Sequence, residues 1–276
     1  MNILIVDGNE KKASDQYLQI GMPTQFQVYE NVLRSLITNK CNISTLHPAH
    51  KNNYIPLGVN LGDFDGIVWT GSLLNIYDLG PAIERQIELA KELFKQTNKI
   101  FGSCWGLHVL ATAAGGEVRK NPRGLEAVIA NNIIINNDGI NHPLYQNKPN
   151  NFDSFCWHYD ELEKLPNETK VLSSNEMSSI QSIVFKRENS DIWAVQYHPE
   201  FNSKWISGLM KQRKSLLLKE GIYRSTDEFN KAHSLFLNVE KYQDKRKQLQ
   251  ISNTVINEDI HTLELANWVK YLMNDI

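Results

Sequence analysis

The pentapeptide Gly-Ser-Cys-Trp-Gly at residues 102–106 constrains the fold more than any other segment of this chain. It follows a short apolar run ending in Ile100-Phe101 and opens a compact helical run from Leu107 to Ala114. A cysteine flanked by glycines at a sharp strand-to-helix turn is the thiol form of the nucleophile elbow. Because this turn is tight and strained, side chains at positions 102 and 106 would collide with neighbouring backbone. The sequence therefore predicts a strand, a strained turn at Cys104 and a helix.

The same pattern indicates a reactive thiol at Cys104. With 3 cysteines and 15 glycines in 276 residues, Gly-x-Cys-x-Gly is expected only about 0.01 times by chance. At a helix N-terminus the dipole and the free N–H groups favour the thiolate, which is the form that attacks carbonyl carbon. We therefore predict that Cys104 is a nucleophile with a lowered thiol pKa. The alternative is a buried structural cysteine at a glycine-rich strand end.

A second motif, His198-Pro199-Glu200, supplies the base and the orienting group that a thiolate nucleophile needs. It ends an apolar run at residues 192–197 that is typical of a buried strand. A histidine at the carboxyl end of a strand points into the crevice where α/β sheets bind ligands. Glu200, two residues further on, can lie on the same side of an extended chain and hold the imidazole. On its own such a histidine is more often structural, but paired with Cys104 it completes a predicted catalytic set.

These motifs together resemble the class I (triad) glutamine amidotransferases, whose triad is Cys, His and Glu in that chain order. The similarity is strongest to the stand-alone, GMP-synthase-like subgroup. Further segments match the family pattern in order: Val68–Ser72 at the oxyanion-hole loop, then Asn121–Ala127, Trp157–Asp160, Leu165-Pro166, Arg213-Lys214, Glu220-Gly221 and Leu265–Trp268. The resemblance spans nearly the whole chain, and the Cys and His motifs are its specific part.

The resemblance implies a mechanism. Cys104 would attack the side-chain amide of glutamine, give a γ-glutamyl thioester and release ammonia. His198 would act as base and then as acid, with Glu200 fixing its tautomer. The backbone N–H groups of Trp105 and Gly71 would hold the oxyanion. Gly71 also ends a predicted strand, and the two interpretations can hold together.

Four residues are predicted to contact the substrate: Ser72, His108, His158 and Tyr159. His158 and Tyr159 occupy the segment that in the family runs past the amino-acid end of the substrate, and a purely structural role is equally open for both. His108 lies one helical turn beyond Cys104 and faces the same way. Many family members carry Gln at this position, where it contacts the substrate, so the change leaves strict glutamine specificity open.

Two alternatives therefore stand beside the amidotransferase hypothesis. The γ-glutamyl hydrolases and peptidases use the same fold and triad on other γ-glutamyl compounds. A catalytically silent regulatory or binding subunit is the other, although nothing in a binding module requires an intact Cys, His and Glu set. The chain has no Walker-type Gly-Lys-Ser/Thr loop for activating an acceptor with ATP. An amidotransferase of this kind would therefore supply ammonia to a separate synthetase or acceptor enzyme, and no cofactor is expected.

Composition excludes several other classes of function. The net charge of −2 and a pI of about 6.5 argue against nucleic-acid binding, and the short basic run Lys245-Arg246-Lys247 is typical of a solvated helix face. No apolar stretch approaches ~18 residues, so no spanning helix is expected. The N-terminus begins a strand without a basic region or cleavage site, which argues against a signal peptide.

Cysteine usage favours a reducing compartment, and we predict a cytoplasmic protein. The chain has 3 cysteines, an odd number that does not suit a disulfide scaffold. Cys156 and His158 form a Cys-x-His pair, but a closed metal site needs four ligands and nothing else in the sequence supplies them. No metal is therefore predicted.

The pattern of the whole chain predicts an α/β fold with a flavodoxin-like, doubly wound, mostly parallel sheet, an additional antiparallel β layer and a helical C-terminal extension. Strands are predicted at 3–6, 43–46, 66–69 and 99–103, with helices at 25–38, 81–94 and 107–114. Beyond Gly115-Gly116, short β-rich runs alternate with turns such as Asn137-Asp138-Gly139, and strands are predicted near 117–120, 127–136, 152–158, 171–173, 180–185 and 192–197. We predict an amidotransferase domain at 1–201 and a helical extension at 202–276 packed on it. The sequence indicates no oligomeric state.

Overall fold

A computed structural model describes residues 1–96, 98–239 and 251–274. The predicted helix face at Lys245-Arg246-Lys247 lies outside these residues. Among the helices that are described, none has the length and apolar character needed to cross a membrane.

A nine-stranded sheet forms the centre of the described structure. Five parallel strands come first, in the order β2 (Asn42–Leu46), β1 (Asn2–Val6), β3 (Gly66–Trp69), β4 (Lys99–Ser103) and β11 (Ser190–Val195). Antiparallel strands continue the sheet in the order β10 (Ser182–Arg187), β9 (Lys170–Ser174), β6 (Glu126–Ile135) and β7 (Asn151–His158). A separate antiparallel pair consists of β5 (Glu117–Lys120) and β8 (Asp160–Lys164).

The α-helices that the structure describes are numbered in chain order. Those in the first part of the chain are α1 (Lys11–Gln19), α2 (Gln25–Leu36), α3 (Pro81–Phe94), α4 (Trp105–Ala113) and α5 (Asn137–Ile140). Those in the last part are α6 (Ser203–Gln212), α7 (Lys214–Lys219), α8 (Thr226–Leu237), α9 (Asn253–Ile256), α10 (Glu258–His261) and α11 (Leu263–Leu272).

Side chains of β1 alternate between two buried clusters, because successive residues of a strand face opposite sides of a sheet. Leu4 and Val6 belong to the cluster that includes residues of α3 and α4. Ile3 and Ile5 belong to the cluster that includes residues of α2 and α11. Helices thus cover both faces of the parallel strands, and this explains why these strands are continuous apolar runs. The predicted fold class is confirmed.

The C-terminal helices pack on this core as predicted. Leu265, Trp268 and Val269 of α11 are buried, and the ring of Trp268 lies 6.1 Å from that of Phe101 in β4. Leu272, one turn further, packs where a side chain on Gly66 would have to be. The division of the chain between residues 201 and 202 stays a prediction.

Three local predictions were incomplete or wrong. The helix α1 was not predicted because its sequence is polar, and only Ser14 and Tyr17 in it are buried. The strand β8, with the sequence DELEK, was missed for the same reason. The predicted turn at Asn137-Asp138-Gly139 begins the one-turn helix α5, because the side chain of Asn136 accepts a hydrogen bond from the N–H of Gly139 and caps it.

Candidate active site

The nucleophile elbow has the strained geometry that its sequence predicts. Cys104 has φ 52° and ψ −105°, and its N–H donates to the carbonyl of Val195 at 2.8 Å. A Cβ on Gly102 would lie 2.8 Å from the backbone of Gly106, and a Cβ on Gly106 would lie 2.6 Å from the carbonyl oxygen of Trp69. Only glycine fits at both positions, so the predicted need for small residues is confirmed.

The sheet brings the histidine motif beside the elbow. Ser103, the last residue of β4, pairs with Val195, the last residue of β11, so both chains leave the sheet at the same edge. His198 Nδ1 and Glu200 Oε1 are 2.6 Å apart, which is the contact expected from the sequence. With Nδ1 held by this carboxylate, Nε2 is the nitrogen of His198 that can exchange protons with a substrate.

Two residues that were not predicted support the carboxylate of Glu200. Ser103 Oγ donates to Glu200 Oε1 at 3.0 Å, and Tyr29 Oη donates to Ser103 Oγ at 2.6 Å. Tyr29 lies on the buried side of α2, where its spacing is that of a core residue, so no sequence signal distinguishes it. Ser103 directly precedes the nucleophile in the sequence, and this position was the one sequence feature that pointed to a role in the site.

The imidazole of His198 is fixed by packing as well as by Glu200. Its ring stacks on Phe201 with the centroids 3.9 Å apart and an interplanar angle of 5°. Its backbone N–H donates to the carbonyl of Phe155 at 2.8 Å. A Cβ on Gly71 would lie 2.7 Å from His198 Cε1. The loop that carries Gly71 therefore reaches the imidazole, and the role of the Gly71 N–H as an oxyanion donor stays a prediction.

The electrostatic setting of Cys104 differs from the prediction. Burial raises the pKa of its thiol, the negative charge of Glu200 raises it further, and a hydrogen bond from the N–H of Trp105 lowers it by less. The predicted lowering of the thiol pKa by the helix N-terminus is therefore wrong for the protein without substrate, because burial outweighs it. A thiol in this setting needs a base to remove its proton.

A cleft of about 300 Å³ opens above Cys104 and Trp105. All four predicted substrate-contacting residues line it: Ser72, His108, His158 and Tyr159. Residues that the sequence did not single out as substrate contacts complete the lining: Leu73, Leu74, Asn75, Trp157, Asp160, Arg213 and Leu216. Gly71, His198 and Glu200 are not part of this described lining, and the last two are at most 2% exposed.

The two histidines in the cleft are held in different ways. His108 Nε2 lies 2.9 Å from Gln196 Oε1, and burial lowers the pKa of His108 to about 4, so this ring is neutral near pH 7. His158 uses both nitrogens, with Nδ1 3.0 Å from the carbonyl of Asp160 and Nε2 2.8 Å from Glu126 Oε2. Both ring nitrogens of His158 therefore have partners, and the ring can contact a bound molecule only through its surface.

Opposite charges face the cleft at Asp160 and Arg213. Asp160 Oδ1 accepts a hydrogen bond from Tyr77 Oη at 2.8 Å, and burial raises the pKa of this carboxyl. Arg213 is part-buried, and its Nε has no hydrogen-bond partner among the described residues. Both residues lie in segments that match the family pattern, but neither was predicted as a substrate contact, because they come together only through the packing of the segment around α6 and α7 on the sheet.

One group of side chains outside the cleft has the composition of a metal site. Asp7, His47 and His50 place their ligand atoms within 4.8 Å of one another. His47 Nδ1 lies 3.1 Å from Asp7 Oδ2, and Asp7 Oδ1 accepts from the N–H of Asn9 at 3.1 Å. The ring of His50 stacks on that of His47 with the centroids 4.7 Å apart. Cys156 and His158, the pair considered from the sequence, do not form a described metal-ligand group.

Comparisons with known proteins agree with this fold. The family model for glutamine amidotransferase class-I matches residues 24–212, which is more than half of the chain. The chain therefore belongs to the class I glutamine amidotransferase family, and it is an enzyme of the cysteine-dependent amidohydrolase type.

Three known proteins illustrate what the chain is similar to. A γ-glutamyl-L-1-hydroxyisopropylamide hydrolase of a Pseudomonas species is 29% identical, over 99% of this chain and 93% of that protein. The glutamine-hydrolysing GMP synthase subunit of Methanocaldococcus jannaschii is 28% identical, over 44% of this chain and 61% of that protein. The structure of a Thermotoga maritima glutamine amidotransferase superposes with a TM-score of 0.68 at 17% identity, over 99% of this chain and 97% of that one. At that identity the structural likeness concerns the fold alone.

Proposed function

We propose that this protein hydrolyses the amide bond of small γ-glutamyl amides through a γ-glutamyl thioester on Cys104. The observation that carries the proposal is that one acidic side chain, Asp160, and one basic side chain, Arg213, line the cleft that contains Cys104. A γ-glutamyl group ends in an α-ammonium and an α-carboxylate, and the two charges match these ends. Arg213 lines the cleft, and an arginine guanidinium binds a carboxylate through two parallel hydrogen bonds, so we assign the α-carboxylate to it.

The chemistry follows from the positions of the proposed catalytic groups. His198 Nε2 takes the proton of the Cys104 thiol as sulfur attacks the γ-carbonyl carbon. The same nitrogen then returns this proton to the amide nitrogen, the C–N bond breaks, and a free amine leaves. Water attacks the thioester with His198 again as base, which releases glutamate and the thiol. Glu200 keeps the imidazole in one tautomer, and the N–H groups of Trp105 and Gly71 are the proposed donors to the oxyanion.

The rest of the cleft supports an amine larger than ammonia as the leaving group. Leu73, Leu74 and Leu216 add apolar surface to the lining, and this surface has no evident role if the only leaving group is ammonia. The relative that matches nearly the whole chain is named as a hydrolase of a γ-glutamyl alkylamide, whereas the GMP synthase subunit matches less than half of it. His108 stands at the position where many amidotransferases carry Gln, and this difference also favours a substrate other than glutamine.

The second candidate is glutamine hydrolysis that supplies ammonia to a separate acceptor enzyme. The similarity to the GMP synthase subunit of Methanocaldococcus jannaschii favours it, because that name describes a protein working with another subunit. It predicts low activity of the isolated chain, with glutamine as the preferred substrate and a rise when the acceptor enzyme binds.

Steady-state kinetics on the purified chain separates the two candidates. We expect a γ-glutamyl alkylamide to be hydrolysed without a partner, with kcat/KM at least about tenfold above that for glutamine, since burying even two or three methylene groups contributes that much. Glutathione serves as a longer γ-glutamyl peptide, and released glutamate, amine and ammonia are measured separately. A Cys104→Ala preparation controls for contaminating glutaminase. Preference for glutamine, with slow turnover of every other amide, would replace the hydrolase proposal by the amidotransferase one.

The His108→Gln variant tests the residue that departs from the family. Glutamine at 108 can still bond to Gln196 while presenting an amide to the cleft, so we expect kcat/KM for glutamine to rise several-fold relative to the alkylamide. The measurement is the ratio of the two kcat/KM values, which cancels differences in active fraction. An unchanged ratio would assign His108 to the packing of α4 alone.

A further inference from the structure

The C-terminal segment formed by α10 and α11 contacts Tyr197 and His198, and His198 is the proposed base. Tyr197 Oη donates to Glu264 Oε1 at 2.8 Å, and His261 Nε2 lies 3.1 Å from the carbonyl oxygen of His198. Both contacts come from α10 and α11, which lie beyond residue 212, where the match to the family model ends. These contacts therefore come from outside the part of the fold that the family model covers.

A buried ion pair fixes the position of this segment. Lys148 Nζ and Glu264 Oε2 are 2.8 Å apart with both side chains fully buried, and Lys148 also donates to the carbonyl of Ile260 at 2.8 Å. A buried pair of this kind contributes little net stability, but separating its members is costly. Because Glu264 also accepts from Tyr197, the ion pair sets the register between the C-terminal segment and the chain that carries His198.

His261 contacts the backbone carbonyl of His198, whose N–H is bonded to Phe155. Burial, reinforced by the charge of Lys148, lowers the pKa of His261 to about 3, so its ring is neutral near pH 7. A neutral ring can donate from Nε2 to the His198 carbonyl only if its proton is on that nitrogen. Nδ1, which is buried and has no partner among the described residues, is then the acceptor. The ring also packs edge-on against Phe155 at 5.0 Å, and the carbonyl of Phe155 accepts the N–H of His198.

We infer that His261 is a positioning residue for the proposed base: the C-terminal segment holds the backbone of His198 from its carbonyl side, and so sets where Nε2 stands relative to Cys104. The inference rests on the proposed function only in treating His198 as the base of Cys104. A hydrogen bond to the backbone carbonyl of His198, the residue that carries the reacting imidazole, acts through orientation, and small displacements of a catalytic group lower rates steeply.

A matched pair of substitutions tests this inference. His261→Gln can place an amide N–H where Nε2 stands, whereas His261→Asn places its amide near the Nδ1 position and loses the bond to His198. We expect His261→Asn to lower kcat by about 10- to 100-fold with KM little changed, and His261→Gln to recover most of the loss. Asn267→Ala is the control, because Asn267 lies on the same segment and its buried amide bonds only to Leu144 and Gln146.

A readout that needs no substrate separates this inference from the proposed function. The rate of Cys104 alkylation by iodoacetamide, followed against pH by mass spectrometry, reports how well the base takes the thiol proton. We expect a slower rate and a displaced pH profile in His261→Asn, and a profile like that of the unaltered protein in His261→Gln and in Asn267→Ala. Identical profiles in all four proteins, or equal losses in the Gln and Asn variants at equal melting temperature, would overturn the inference. A displaced profile without hydrolysis of any γ-glutamyl amide would instead overturn the proposed function.

Discussion

Replacement of Cys104 by serine is expected to lower the turnover of every γ-glutamyl amide by at least about 10³-fold. The elbow would persist, because its backbone is fixed by Gly102, Gly106 and the strands rather than by the sulfur. The hydroxyl would be a far weaker nucleophile than the thiol in the same buried position. Ser103 cannot replace it, since its hydroxyl is already bonded to Glu200 and Tyr29.

Chemical labelling checks the same assignment independently of turnover. A diazoketone analogue of glutamine should add one equivalent to the intact protein, at Cys104. Cys156 is fully buried and Cys41 lies outside the cleft, so neither meets a reagent that is directed by the substrate site. Cys41→Ser is the matched control and should keep full activity and full labelling. Labelling spread evenly over the three cysteines, or activity retained in Cys104→Ser, would contradict a nucleophilic Cys104.

The parts of this protein that could be predicted from its sequence are those fixed by local constraints. Backbone atoms lie too close to Gly102 and Gly106 to leave room for a side chain, so the two glycines of the motif predict the elbow. The parallel strands are buried on both faces and read as continuous apolar runs, and the contact between His198 and Glu200 follows from a two-residue spacing.

What could not be predicted depends on residues distant in sequence. Arg213 enters the cleft only through the packing of the C-terminal helices, and the family match at Arg213-Lys214 did not indicate a substrate contact. Tyr29 and His261 have the spacing of ordinary buried residues, and only tertiary contacts connect them to the site. The raised thiol pKa of Cys104 was missed for a related reason, because the extent of burial is not visible in a local motif.

Removal of the proposed base is the second change with a large expected effect. His198→Ala should lower kcat by several orders of magnitude, because the thiol pKa of Cys104 is raised by burial and the thiol then needs a base to take its proton. The fold should survive, since the neighbouring backbone is held by Phe155 and by the C-terminal segment. His233→Ala, which removes an imidazole from α8 outside the cleft, is the matched control and should leave kcat unchanged.

Glu200→Ala should lower kcat by less than His198→Ala. The imidazole would lose the carboxylate at Nδ1, and with it the preference for one tautomer, but the stack on Phe201 and the backbone bond to Phe155 would keep the ring near its place. The kcat values of the two variants, measured on one γ-glutamyl amide with circular dichroism and melting temperature as checks on folding, give the order. If a folded Glu200→Ala protein were as inactive as His198→Ala, packing alone would not orient the imidazole, and Glu200 would be as necessary to the reaction as the base itself.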